Sequence, residues 1–254
     1  MKTKGKPNLP FTIRRLGYTM GMICLLPFYL FAQKSSLELW PEADLWYTLT
    51  PSWRLSMFVP VTKYYESKDR DLNIFLQADY KWGKTKHIFY RRLVDENREM
   101  KVKTWMARGG FMKGWSLGES AGNYTEDMIF GEIHRRQPLK GNVMISHRFR
   151  TDLRWLGEEK VFSYRFRYRF MVEKEYNEGK SSIVPYANVE LFWDSRYSTI
   201  NRVRAIGGGT ISWGPRFAYE GNITYQYDAY YDTPNLYALN IILHIFFEKK
   251  HAPN

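Results

Sequence analysis

Between Val161 and Tyr176, aromatic or aliphatic and polar residues alternate almost one for one. Phe162, Tyr164, Phe166, Tyr168, Phe170 and Val172 interleave with Ser163, Arg165, Arg167, Arg169, Met171 and Glu173. A period of two puts the first set on one face of a strand and the second on the other. A face of bare rings opposite a face of guanidinium groups is stable only where each meets a solvent that suits it. Lipid outside and a polar lumen inside meet that condition, as in a transmembrane β-barrel strand.

Similar runs recur along the chain. The most regular are Asp71–Trp82, Gly141–Trp155, Val161–Tyr176, Ser182–Asp194, Thr199–Trp213, Arg216–Tyr230 and Leu236–Phe247. Glu38–Leu49, Trp53–Tyr64, Lys86–Val94, Lys101–Lys113 and Met128–Arg136 alternate less cleanly. Glycine, proline, asparagine and aspartate clusters separate them, as turns require. The pattern predicts an all-β fold: a single antiparallel closed transmembrane β-barrel of about 12 strands, with 10 as the alternative. Closure is required because an open edge in hydrocarbon leaves backbone groups unpaired at several kcal/mol each. An even count puts both termini on one side, the periplasm, and the longest connection, Gly114–Asp127, on the other. In the last run Tyr237, Leu239, Ile241, Leu243, Ile245 and Phe247 share a face. That arrangement resembles the signal read by the barrel assembly machinery, although EKKHAPN follows it.

The first residues change the picture from a barrel to an exported barrel. Lys2, Lys4, Lys6, Arg14 and Arg15 precede a mostly apolar stretch, Leu16–Phe31, that ends at Ala32-Gln33. This order is that of a secretory signal peptide. The apolar stretch is shorter than the ~20 residues a membrane anchor needs, and Pro27 interrupts it. Residues 1–32 are therefore expected to be a cleaved signal peptide, 33–247 the barrel and 248–254 a short polar tail. Cleavage takes the formal charge from +12 to +7 and removes the only cysteine, Cys24. No disulfide chemistry is then expected, and no sequence motif for a metal or cofactor is present. Export argues against nucleic acid as the partner of the basic excess. Outer-membrane lipid or lipopolysaccharide in a Gram-negative bacterium fits it. Aromatic residues make up 17% of the chain. Trp40, Trp46, Trp53, Trp82, Trp115, Trp155, Trp193 and Trp213 lie mostly near run ends, where a headgroup girdle would place them.

With the apolar register outside, the lumen face carries Arg148, Arg150, Asp152 and Arg154, then Ser163, Arg165, Arg167, Arg169 and Glu173. Asn188, Glu190 and Asp194 follow, then Arg202, Arg204 and Glu220, with Asp71, Asn73, Gln77, Asp79 and Lys81 on an earlier run. Arginine forks match carboxylates bidentately. A structural lattice is therefore expected, with Arg148, Arg150, Arg165, Arg167 and Arg202 paired to Glu190, Asp194 and Glu220. The arginines in excess could instead hold a small anionic or acyl ligand, or line a narrow anion-preferring pore. An enzyme is the weaker reading. His244, Ser163 and Asn240 are the only candidates for an outer-membrane lipid hydrolase, phospholipase- or deacylase-like, and no motif ties them together.

The order of HRFRTDLRW (His147–Trp155), RFRYRF (Arg165–Phe170), ANVELFWD (Ala187–Asp194), NRVRAIGG (Asn201–Gly208) and YQYDAYY (Tyr225–Tyr231) resembles a family of outer-membrane barrels common in Bacteroidetes, a domain of unknown function. The resemblance implies location and fold and carries no activity. Its shared residues fall on Arg148, Arg150, Arg165, Arg167, Glu190 and Arg202.

Overall fold

A computed structural model describes residues 35–65, 68–83, 103–117, 124–178, 181–213 and 216–248. The strands are β1 (Ser35–Thr48), β2 (Trp53–Tyr64), β3 (Arg70–Trp82), β4 (Trp105–Leu117), β5 (Thr125–Leu139) and β6 (Val143–Leu156), followed by β7 (Val161–Lys174), β8 (Tyr176–Glu178), β9 (Ser181–Asp194), β10 (Thr199–Trp213), β11 (Phe217–Asp228) and β12 (Asn235–Glu248). They form one sheet in the order β10-β11-β12-β1-β2-β3-β4-β5-β6-β7-β9, and β9 pairs back to β10, so the sheet closes on itself. β8 has three residues and pairs with the start of β9 beside the end of β7. β7 and β8 thus occupy one position, and the barrel has eleven strands.

That number corrects the expected twelve. The run Lys86–Val94 lies outside the described residues, and Trp82 pairs directly with Trp105 as β3 meets β4. No strand position separates these two. The longest connection is therefore the one spanning 83–104, and Gly114–Leu117 and Thr125–Asp127 belong to strands. An odd count has a geometric consequence. Each strand runs antiparallel to the one before it, so β1 and β12, the first and last of eleven, point the same way. Their shared edge is a parallel seam, in which Asp44 lies by His244 (3.1 Å) and Trp46 stacks on Phe246 (6.2 Å between centroids). β1 thus begins at one end of the barrel, the Ser35 end, and β12 finishes at the other, the Thr48 end. The two ends of the strand array do not share a side, as an even count would require.

The alternation sets the faces. Ile223 is 63% exposed and Phe149 59% on the outer surface, whereas Asp79 and Asp152 are 0% exposed inside. This is the reverse of a soluble protein, in which paired charges seldom reach the centre and apolar rings seldom cover the surface. Among the described residues no helix is long and apolar enough to cross a membrane, which says nothing of a barrel. Outer aromatic side chains gather near the two ends. Trp53, Tyr80, Trp82 and Trp105 form a chain of ring contacts at the Thr48 end, and Trp155, Phe162, Tyr164, Phe166 and Trp193 form another at the Ser35 end. Trp40 and Trp46 depart from the girdle expectation. They share the inner face of β1 with Glu38 and Asp44, and Trp46 is buried.

Local backbone chemistry fixes the hairpins. Gly141 (φ 78°) takes the left-handed conformation in the tight β5–β6 turn, which favours glycine. Gly208 serves a different need. It faces the lumen from β10, and a Cβ there would run into the carbonyl oxygen of Gly221 and into Asn222 on β11. Outward-facing Gly207 has open space around it. Gly208→Ala is expected to cost ~1–3 kcal/mol through overpacking, read as a lower urea midpoint for the folded barrel, with Gly207→Ala as the near-neutral comparison.

Candidate functional site

Charge is arranged in tiers across the lumen. At one level, cross-strand neighbours run Arg54, Asp79, Arg108, Glu132 and Arg150 from β2 to β6, alternating in sign at every step. Hydrogen bonds follow that ladder. Arg54 Nε donates to Asp79 Oδ2 (2.9 Å), Arg108 Nε to Asp79 Oδ1 (2.6 Å) and Arg150 Nη1 to Glu132 Oε1 (2.7 Å). Opposite charges on adjacent strands are the favourable arrangement for a sheet pair.

Beyond β6 the alternation stops. The same level continues as Arg150, Arg167, Phe192 and Arg202, and the next one toward the Thr48 end reads Arg148, Arg169, Glu190 and Arg204. Like charges on neighbouring strands repel, so this wall needs counter-charges from elsewhere. β5 and β11 supply part of them, and Asp152 and Glu190 stand within the wall itself. Arg154 Nε reaches Glu126 (2.6 Å), and Arg202 pairs with Asp228. Arg165 pairs with Asp152 (2.7 Å), and Glu190 takes both Arg148 and Arg167. The buried Phe192 ring lies among Arg165, Arg167, Arg202 and Arg204, at 4.6–5.6 Å from its centroid. A ring face is the neutral surface that cations approach favourably.

All thirteen lumen candidates, from Arg148 to Glu220, line the inner face, as the burial pattern along β6, β7, β9, β10 and β11 shows. The expected pairings need correction at two carboxylates. Asp194 is met by Arg154 (3.3 Å) and Arg196 (2.8 Å), not by the arginines named for it. Glu220 has no arginine partner among the described residues. It accepts from Tyr186 Oη and Asn222 Nδ2 and faces His244 Nε2 at 3.3 Å. Partners in β4 and β5, namely Arg108, Glu126 and Glu132, were not foreseen.

Six of the eight arginines on β6, β7 and β10 therefore meet carboxylates. The other two do not. Among the described residues Arg169 has no carboxylate within 4.0 Å, and its buried Nε has no hydrogen-bond partner. Arg204 donates only to the neutral Gln226 Oε1 (3.0 and 2.6 Å). Arg148, although paired through Nη2, also has an unpartnered buried Nε.

Two cavities flank the arginine-rich levels. The larger, about 330 Å³, lies toward the Thr48 end and includes Arg148, Arg169 and Arg204 in its lining. The smaller, about 220 Å³, lies at the Ser35 end beside Arg165, Arg202 and Arg196. Arg196 sits in the β9–β10 turn, where hydrogen bonding to Asp194 raises its guanidinium above its ordinary pKa. Neither lining includes Arg150 or Arg167, whose paired side chains lie between the two spaces.

The hydrolase candidates are not assembled. Ser163 bonds to Asp194 and Ser195 (both 3.4 Å) at the Ser35 end. His244 lies toward the Thr48 end with carboxylates at both ring nitrogens, Asp44 at 3.1 Å and Glu220 at 3.3 Å. Asn240 bonds to Asn222 and to Thr224 Oγ1 (3.0 Å). Among the described residues no group of His, Cys, Asp and Glu is arranged to hold a metal ion.

These features define a closed β-barrel with an ionic lumen and an apolar outer surface. A family model described as "Protein of unknown function (DUF2490)" matches residues 40–236, and the chain belongs to that family. Neither a curated protein nor a solved structure matches it.

Proposed function

We propose that the protein is a non-enzymatic outer-membrane β-barrel of a Gram-negative bacterium. It is exported by its N-terminal leader and inserted by the barrel assembly machinery, and its lumen holds a small anionic or acyl ligand. The observation that carries this reading is the inversion of polarity: a continuous apolar exterior around a lattice of buried ion pairs. In water that exterior would favour aggregation, whereas in a bilayer it meets lipid tails. The aromatic clusters at the two ends fit the headgroup levels, where a ring with a polar handle is best placed. Binding is favoured over hydrolysis because both nitrogens of His244 face carboxylates and Ser163 lies away from them.

The native protein is expected in the outer-membrane fraction, migrating faster on gels when left unheated than after boiling. Recovery as a soluble periplasmic monomer would overturn the reading.

A further inference from the structure

We propose that Arg169 and Arg204 receive the head of a small amphipathic organic anion, a carboxylate or phosphate monoester on a short apolar body, in the larger cavity. The inference rests on the lumen-binding reading above and deepens it.

The first observation is the charge balance. Arg169 and Arg204 stand on either side of Glu190, as its direct neighbours on β7 and β10. The Glu190 carboxylate is already engaged by Arg148 and Arg167. Two strand spacings of about 4.8 Å separate the backbones of Arg169 and Arg204. Two arginine side chains at that spacing can converge on one anionic group, and an anion between them would supply the missing counter-charge. Guanidinium groups suit such oxyanions because their donors form a planar fork. Arg148 Nε, buried and unpartnered at the same level, faces the same deficit.

The second observation is the space above them. The cavity volume of about 330 Å³ lies at the lower end of the ~300–1,000 Å³ of small-molecule sites. From the arginine level toward the Thr48 end the lining turns partly apolar. Met171 and Ile206 come first, then Met144, then Val184. An anion with an apolar body would place its head on the arginines and its body along these side chains. Two carboxylates of the same cavity, Asp44 and Glu220, face His244 at another wall. Glu173 lies four residues beyond Arg169, two positions along the inner face, so it repels an anion bound above the arginine level. Depth in the cavity thus becomes a selection for the head group.

A purely structural pair of arginines and a binding pair differ in one measurable respect. Replacing a structural arginine breaks an ion pair and lowers stability. Replacing Arg169 breaks none and relieves like-charge crowding; replacing Arg204 breaks no ion pair but gives up its hydrogen bonds to Gln226 Oε1. The full barrel in nanodiscs is titrated calorimetrically with hexanoate, hexyl phosphate, hexanol, acetate and inorganic phosphate. Hexanoate or hexyl phosphate is expected to bind at least tenfold more tightly than acetate or inorganic phosphate, and hexanol not to bind. Which of the two binds more tightly identifies the head group. Arg169→Gln and Arg204→Gln should each weaken that binding at least tenfold, with the unfolding midpoint of Arg169→Gln unchanged or raised. Arg150→Gln, outside the cavity and in an ion pair, should lower the midpoint and leave binding within about twofold. The proposal is overturned if no probe binds, if inorganic phosphate binds as well as hexyl phosphate, or if the two glutamine variants bind normally. It is also overturned if Arg169→Gln loses stability as Arg150→Gln does. A barrel that fractionates with the outer membrane and is heat-modifiable, yet binds nothing, defeats this site alone. A soluble periplasmic protein defeats the reading beneath it.

Discussion

Glu190→Gln is expected to lower the unfolding free energy by ~3–5 kcal/mol, the cost of leaving buried charge uncompensated. The reason is local and countable. Glu190 is 2% exposed and engages Arg148 through Nη2 and Arg167 through Nη2 at 2.9 Å. Arg169 and Arg204 are its neighbours across the sheet. Without its charge, the Arg148, Arg169 and Arg204 level has no acid of its own, and the next level holds Arg150, Arg167 and Arg202 around Phe192. Glutamine keeps the shape and an acceptor, so the loss reports charge and not a cavity. The gel-shift temperature and the urea midpoint in detergent both read it. If the single variant does not insert, Glu190→Gln combined with Arg167→Gln provides the second reading, because removing one stranded cation should restore part of the stability. Coupled neighbours of this kind deviate from additivity by 0.5–3 kcal/mol. An unchanged midpoint for Glu190→Gln would mean that lumen water screens these arginines and that the ion-pair lattice contributes little.

What the sequence made legible follows from where alternation is strict. β7 and β10 interleave apolar and polar residues for most of their length, and the expected Thr199–Trp213 coincides with β10. A side-chain period of two is a local property, so it can be read without knowing any partner. β4 and β5 were harder because their inner faces carry Met106, Met112, Met128 and Phe130 among Arg108, Glu126 and Glu132. With apolar residues on both faces, the polar ones no longer announce a side. Phe130 and two of these methionines meet guanidinium groups: Arg150 lies over Phe130 at 4.0 Å, and Arg136 and Arg150 reach the sulfurs of Met106 and Met128. The strand count is not written in any single strand. It depends on register around the whole circuit, and the alternating run Lys86–Val94 falls outside the described residues, while Trp82 pairs directly with Trp105. Pairing partners share that non-local character: Arg202 meets Asp228 because β10 and β11 are in one register, and a two-residue slip would exchange the partner.

Asp79→Asn tests the other half of the lumen and should cost a comparable ~3–5 kcal/mol, for the same reason in a different setting. Asp79 is 0% exposed and accepts from two guanidinium groups: Arg54 Nε at 2.9 Å, and Arg108 through Nε at 2.6 Å and Nη2 at 3.1 Å. It is the anion between two cations in the ladder from β2 to β6, so neutralising it places Arg54 and Arg108 against each other. Arg54 also lies over the Trp46 ring at 4.0 Å, and Trp46 stacks on Phe246 at the parallel seam. A shift of Arg54 is therefore expected to loosen the contact that helps to close the barrel. Two measurements separate these effects. The urea midpoint of Asp79→Asn reads the electrostatic loss, and Arg108→Met in the same background should recover part of it by removing one of the opposed charges. Backbone hydrogen exchange along β1 and β12 reads the seam, and it should speed up in Asp79→Asn more than in Glu190→Gln, whose arginines lie on β6, β7 and β10. Equal exchange in the two variants would show that the ladder and the seam are independent.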